Sequence, residues 1–241
     1  MNLNGSVALV TGGNRGLGQA FVQALLDAGA KKVYVAARKF TEADDPRLQP
    51  LKLDITNPSD VVAAAEVCQD VTVLINNAGV AQLAPSIGAE TTDYARAEME
   101  TNYFGTLAMS RAFAPILKKN GGGALVNMLS VASWYNNPAL GSYGISKAAQ
   151  WALTNGTRIE LRSQGTLVVG IHAGYIDTDM AASITASKIS PTEVAAATIE
   201  GIQAGREEVL ADQTSRSIKT ALATDPEAFY KNIQEAWDNR K

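Results

Sequence analysis

Val7-Ala8-Leu9-Val10-Thr11-Gly12-Gly13-Asn14-Arg15-Gly16-Leu17-Gly18 is the stretch that decides the fold. Its first five residues form a short apolar run of the kind a strand covered on both faces requires. Glycines end the run, and from Leu17 the apolar positions Phe21, Ala24, Leu25 and Ala28 recur at helical spacing until Gly29. The stretch therefore reads as strand, glycine-rich turn, helix. Working outward, Lys32–Ala36 is a second strand, and Leu51-Lys52-Leu53 a third that ends at Asp54. A helix follows from Pro58 to about Gln69, capped by Asn57 or Ser59. Val71–Ile75, Gly123–Met128, Leu167–Ile171 and a short Glu208–Leu210 supply four further strands. Between them the patterning predicts helices from about Thr92 to Lys118, from Ser142 to about Arg162, from Pro191, and from Pro226 to Trp237. Gly105 in the interior and Pro115 near the end are unfavourable residues within the first of these. Strands alternating with helices imply a parallel sheet of about seven strands with helices on both faces, in one doubly wound α/β domain.

Composition fits this and narrows the function. The chain has 241 residues, 46% hydrophobic and 19% charged, with a net charge of −3. A body of that size buries roughly 70–75% of its unfolded surface and needs no metal or disulfide staple. A net acidic chain argues against a nucleic-acid partner. The single cysteine, Cys68, and single histidine, His172, give no structural metal site and no internal disulfide. No apolar run is long enough to span a membrane, and Met1–Ser6 lacks the basic flank and apolar core of a signal peptide, so a cytoplasmic location is expected.

The turn from Thr11 to Gly18 sits where a helix N-terminus offers unpaired N–H groups to an anion, with glycines letting a pyrophosphate approach the backbone. Its Gly-x3-Gly-x-Gly spacing is not followed by the Lys-Ser/Thr of a mononucleotide loop, which weighs against ATP or GTP. Just past the second strand, where an acidic residue would bind a free ribose 2′-hydroxyl, stand Ala37 and Arg38. Arg15 and Arg38 together suit a 2′-phosphate, which favours NADP(H) over NAD(H). Two solvated surface arginines are the alternative. Glu42, Asp44 and Asp45 lie beyond the strand end.

Tyr143 and Lys147, four apart, share one face of a helix. An ammonium about 4 Å from the phenol oxygen, at an effective dielectric of about 20, would favour phenolate by up to roughly 3 pKa units. That would turn a phenol with a pKa near 10 into a workable acid–base group. Ser130 stands just past the carboxyl end of a strand, where side chains of a parallel sheet face the ligand crevice, and its hydroxyl could hold a carbonyl against Tyr143.

With these motifs in order, the sequence resembles the short-chain dehydrogenase/reductase family, over at least Val7 to Thr178. The resemblance implies a single-domain Rossmann fold and a cofactor site formed by Gly12, Asn14, Arg15, Gly16, Leu17, Gly18 and Arg38. It adds Asp54 and Ile55 at the adenine, Asn76, Ala78 and Gly79 from the Asn76-Asn77-Ala78-Gly79 signature, Tyr143 and Lys147 at the nicotinamide ribose, and Gly174, Ile176 and Thr178 at the nicotinamide end. It also implies a catalytic set of Asn102, Ser130, Tyr143 and Lys147. In that set Tyr143 donates a proton to a carbonyl oxygen as hydride arrives, Lys147 lowers the tyrosine's pKa, Ser130 orients the carbonyl, and Asn102 anchors water in a proton relay.

The arginine pair is similar to that of NADPH-preferring carbonyl reductases, which implies a ketone or aldehyde reductase. Oxidative alcohol or hydroxysteroid dehydrogenation and a non-catalytic NADP(H)-sensing module stay open as alternatives. Where family members have Pro-Gly after the sixth strand, this chain has Ala173-Gly174. The segment 179–190 is expected to be a short substrate lid over a pocket lined by Trp134, Tyr135, Tyr175, Met180 and Ile184, and His172 to pack or hydrogen-bond rather than react. A homodimer or homotetramer is the family expectation, with the C-terminal helix at about 226–238 covering either a dimer face or its own subunit.

Overall fold

The computed structural model describes residues 1–39 and 45–239. Its seven strands are all parallel, in the order β3-β2-β1-β4-β5-β6-β7. They are β1 (Val7–Thr11), β2 (Lys32–Ala37), β3 (Leu48–Lys52), β4 (Val73–Asn76), β5 (Ala124–Met128), β6 (Leu167–His172) and β7 (Glu208–Leu210). The helices are α1 (Gly16–Asp27), α2 (Pro58–Val67), α3 (Asp93–Glu98), α4 (Thr106–Lys119), α5 (Gly141–Leu161), α6 (Pro191–Gln203), α7 (Gln213–Thr224) and α8 (Pro226–Asp238).

Strand alternation sends successive side chains to opposite faces, and each face has its own core. Ala8, Val10, Val73, Ile75, Val126 and Ile171 pack against Phe21 and Leu25 of α1 and Val194 and Ile202 of α6. Val7, Leu9, Leu74, Leu125 and Val168 pack against Val61 and Ala64 of α2 and Met109, Phe113 and Leu117 of α4. This is the doubly wound, single-domain Rossmann fold that the alternating pattern predicts. The strand order reverses between β1 and β4, and a ligand crevice forms at the carboxyl ends of strands beside such a switch point.

Three local readings need correction. The third strand begins at Leu48 rather than Leu51 and runs through Pro50, which pairs with Val35. Pro50 is tolerated because β3 is an edge strand. The expected helix from Thr92 to Lys118 is interrupted by a π-helical turn at Met99–Gly105, where Gly105 lies against Ile55 with no room for a side chain. Finally, α7 has no counterpart among the predicted helices. Its start is fixed by Asp212, whose carboxylate accepts from the Ser215 N–H while the Ser215 hydroxyl faces the Asp212 N–H, a reciprocal cap.

Candidate functional site

The cleft follows directly from this topology. It has a volume of about 1030 Å³ and runs along the carboxyl ends of the strands, from Arg38 and Asp54 past the glycine loop to Ser130, Tyr143 and the 179–184 segment.

At its centre the β1–α1 turn is held in a form only glycine takes. Gly12 and Gly16 have φ of +64° and +53°. A side chain at Gly18 would put its Cβ 1.9 Å from the Gly12 carbonyl oxygen, so helix and turn are in direct backbone contact. No side chain caps the start of α1, and no acidic residue stands in its first turn. Its free N–H groups and positive dipole end therefore face the cleft, a cradle suited to phosphate. Asn77 braces this turn. Its amide donates to the Thr11 carbonyl at 2.9 Å, while the Thr11 hydroxyl accepts from the N–H groups of Asn77 and Ala78 at 2.9 and 3.0 Å.

Of the sequence-predicted cofactor residues, Gly12, Asn14, Arg15, Gly16, Leu17, Gly18, Arg38, Asp54, Ile55, Ala78, Gly79, Gly174, Ile176 and Thr178 all line the cleft. Asn76 does not. It is the last residue of β4, and its buried amide donates to Asn127 at 2.9 Å, beneath the cleft floor. The asparagine of the motif that reaches the cleft is its neighbour Asn77. Arg15 is bonded to Asp179 at 2.7 Å across the cleft mouth, with both side chains largely exposed. Hydrogen bonds from Thr56, then the nearby Arg38 guanidinium, hold the Asp54 carboxyl below the usual carboxylate range. Of the acidic residues past β2, Asp45 is paired with Arg47, and Glu42 and Asp44 lie outside the described residues.

At the other end Ser130, Tyr143 and Lys147 come together. The Ser130 hydroxyl is hydrogen-bonded to Tyr143, and the Lys147 ammonium lies 5.9 Å from the tyrosine ring centroid. The expected electrostatics are reversed. Burial pushes the Tyr143 phenol up to about 12, against the opposing pull of Ser130, and pushes the Lys147 ammonium down to about 7. Lys147 spends its hydrogen bonds on the Met128 carbonyl and the Gln150 side chain, both at 2.8 Å, so loss of water outweighs the attraction between the two groups.

Asn102 is also placed differently from expectation. It lies fully buried in the π-helical turn, and its amide is used by Val80 N–H and carbonyl and by Ser146, all at 2.9 Å. It braces the wall that follows Gly79 and does not line the cleft. A π-helical turn at such a position is common near functional sites.

Tyr135, Tyr175, Met180 and Ile184 line the substrate end, together with Thr214 and Ile218 of α7, which sequence reasoning missed. Trp134 does not line it. It is stacked on His172 at 4.0 Å, with the Lys219 ammonium 5.6 Å from its ring. His172 is fully buried, and burial pushes its imidazole down to about 4, so the neutral ring donates from Nδ1 to the Ser130 carbonyl at 3.0 Å. Where a proline would stiffen the backbone after β6, the Ala173 carbonyl accepts from Val131 N–H and the Gly174 N–H donates to Asp212 at 2.8 Å. The 179–190 segment is tied at both ends, by a bridge between Ile176 and Ile189 and by the reciprocal cap joining Ser190 to Glu193. Among the described residues no cluster of three or more His, Cys, Asp or Glu side chains could hold a metal, and no helix is long and apolar enough to cross a membrane.

The comparisons agree with this geometry. Residues 6–189 match the family model for short chain dehydrogenases. The chain is 30% identical over 239 residues to the 3-oxoacyl-(acyl-carrier-protein) reductase FabG of Vibrio cholerae, covering 95% of this chain and 94% of that protein. It also resembles a short chain dehydrogenase from Burkholderia cenocepacia solved with NADP, with 41% identity and a TM-score of 0.92, covering 97% of this chain and 99% of that one. A 3-ketoacyl-(acyl-carrier-protein) reductase from Brucella melitensis, complexed with NADH, shares the fold at 23% identity and a TM-score of 0.79, covering 86% of this chain and 96% of that one. The chain belongs to the short-chain dehydrogenase family. It is an NAD(P)(H)-dependent oxidoreductase of the class that acts on CH–OH and C=O groups.

Proposed function

We propose that the protein is an NADPH-dependent reductase of ketones or aldehydes. The observation that carries this reading is the grouping of Ser130, Tyr143 and Lys147 at one end of a cleft whose middle is the glycine turn and whose far end holds Arg38.

The residues present fit the dinucleotide. The uncapped N-terminus of α1 and the glycine turn would hold the pyrophosphate, Asp54 and Ile55 the adenine, and Lys147 the nicotinamide ribose. Arg38, and Arg15 once exchanged from its exposed pair with Asp179, would grip a 2′-phosphate with charge-assisted bonds. Ala37 offers no carboxylate to a free 2′-hydroxyl, which supports NADP(H) over NAD(H). Bound NADPH would supply the hydride.

The chain's own residues handle the oxygen and the proton. Ser130, fixed through its backbone by His172, presents a hydroxyl to the substrate oxygen as charge develops there. Tyr143, kept protonated by burial, is a donor whose proton goes to that oxygen. Lys147, whose ammonium burial brings down to about 7, would move a proton back toward the phenol. The kinship with proteins named reductases supports the reductive direction. Tyr135, Tyr175, Met180 and Ile184 make the substrate end aromatic and apolar, which suits bulky apolar or aromatic carbonyls.

A panel of aldehydes and ketones, assayed with NADPH and NADH in parallel by loss of reduced-nicotinamide absorbance, tests the reading. Turnover of aromatic ketones with NADPH at least tenfold over NADH is expected. Activity confined to one small polar carbonyl, or faster with NADH, would overturn it.

A further inference from the structure

Glu98 is a buried acid that the chemistry above does not use. It lies on α3 with its side chain wholly removed from solvent. One carboxyl oxygen accepts from the Gln82 N–H at 2.7 Å, and the other from the hydroxyl of Ser142, the residue preceding Tyr143. No described cation is paired with it.

The two partners belong to adjoining segments, the 80–84 loop and the start of α5. Gln82 sits in the 80–84 loop, whose Val80, Ala81 and Leu83 line the cleft. Leu83 is the one described non-glycine residue with positive φ, at +55°, a conformation that persists only where the surroundings enforce it. The Ser142 N–H donates to Ala84 of the same loop at 3.2 Å, and Gly141 is packed so tightly on Ala84 that an added Cβ would lie 1.7 Å from its carbonyl oxygen. Loop and helix start are thus locked together, with the carboxyl of Glu98 joining them from below.

We infer that Glu98 is a positioning residue for the reaction: it clamps the strained 80–84 loop to the start of α5 and places its negative charge within reach of Tyr143. The inference rests on the reading of Tyr143 as proton donor. The groups facing Tyr143 are Lys147 on its own helix, Glu98 from α3, Tyr175 from beyond β6, and Ser130, behind which lies neutral His172. Among the causes that raise the phenol, Glu98 comes after burial. A nearby anion disfavours a second one, so removing the charge lowers the phenol's pKa.

The test compares Glu98→Gln, whose amide oxygen can still accept from the Gln82 N–H and whose amide N–H can donate to the Ser142 hydroxyl but which carries no charge, with Ser142→Ala, which keeps the charge but cuts one arm. The readout is the rate of alcohol oxidation with NADP+ between about pH 7 and 10, the rising flank below the Tyr143 value of about 12, where a lower phenol pKa gives a higher rate at each pH. For Glu98→Gln the rising limb should move to lower pH by on the order of one unit, with the KM for NADP+ unchanged. For Ser142→Ala, kcat should fall about tenfold with no movement of the limb. A Glu98→Gln limb superimposed on wild type, or a wild-type kcat for Ser142→Ala, would overturn the inference. Tyr143→Phe separates the two failures. If it still turns over, the proton-donor reading falls. If it is inactive and the Glu98 limb does not move, only the role of Glu98 falls.

Discussion

Replacing Lys147 by methionine keeps an unbranched chain of similar length and removes a charge that burial penalises. In the protein without added dinucleotide the ammonium is held at about 7, against an ordinary 10.5. Because the folded value is the lower one, the unfolded chain binds more protons between these limits. The penalty is complete below pH 7, and wild-type stability climbs as pH rises through the window. A fully developed slope is about 1.4 kcal/mol per pH unit, and integration from pH 7 to 9 gives about 2 kcal/mol. The variant lacks this slope. It also loses the hydrogen bonds to Met128 and Gln150, an offset of about 1–3 kcal/mol that does not depend on pH. Urea unfolding of both proteins at the two pH values isolates the effect as a difference of differences. The stability of Lys147→Met relative to wild type should fall by about 2 kcal/mol from pH 7 to 9. A difference constant to within about 0.5 kcal/mol would show that Lys147 keeps an ordinary pKa and would refute the desolvation argument.

Arg38→Ala removes a charge-assisted contact from the far end of the cleft. The KM for NADPH should rise about 10- to 100-fold in steady-state assays while that for NADH changes less than threefold. Gly18→Ala would press a Cβ onto the Gly12 carbonyl oxygen, so the turn must open. Dinucleotide affinity, followed by fluorescence titration, should fall at least about tenfold, since the phosphate cradle depends on that contact.

The sequence made the fold legible where residue type and spacing act locally. Gly12, Gly16 and Gly18 mark a turn that other residues cannot make, and alternate residues of β1 and β4 supply the two cores seen on either face. It misled where tertiary position decides. The third strand is read only from Leu51, whereas it starts at Leu48 and runs through Pro50, which an edge strand tolerates. Asn76 and Asn77 are adjacent and alike, but they point to opposite sides, and only strand parity tells which reaches the cleft. Trp134 follows Ser130 closely in sequence but is turned away onto His172. The Tyr143–Lys147 spacing correctly placed the two side chains near each other, whereas the balance of burial against attraction depends on the whole surrounding core. Glu98 gave no signal at all, because a single acid on a helix reads as a solvated charge until the packing around it is known.

The central claim is that Tyr143 passes its proton to a carbonyl oxygen. Single-turnover reduction of an aromatic ketone by Tyr143→Phe with saturating NADPH tests it most directly, with cofactor binding checked by fluorescence titration. The account predicts intact NADPH binding and a rate at least about 100-fold below wild type. A variant that binds NADPH and reduces the ketone at the wild-type rate would contradict it.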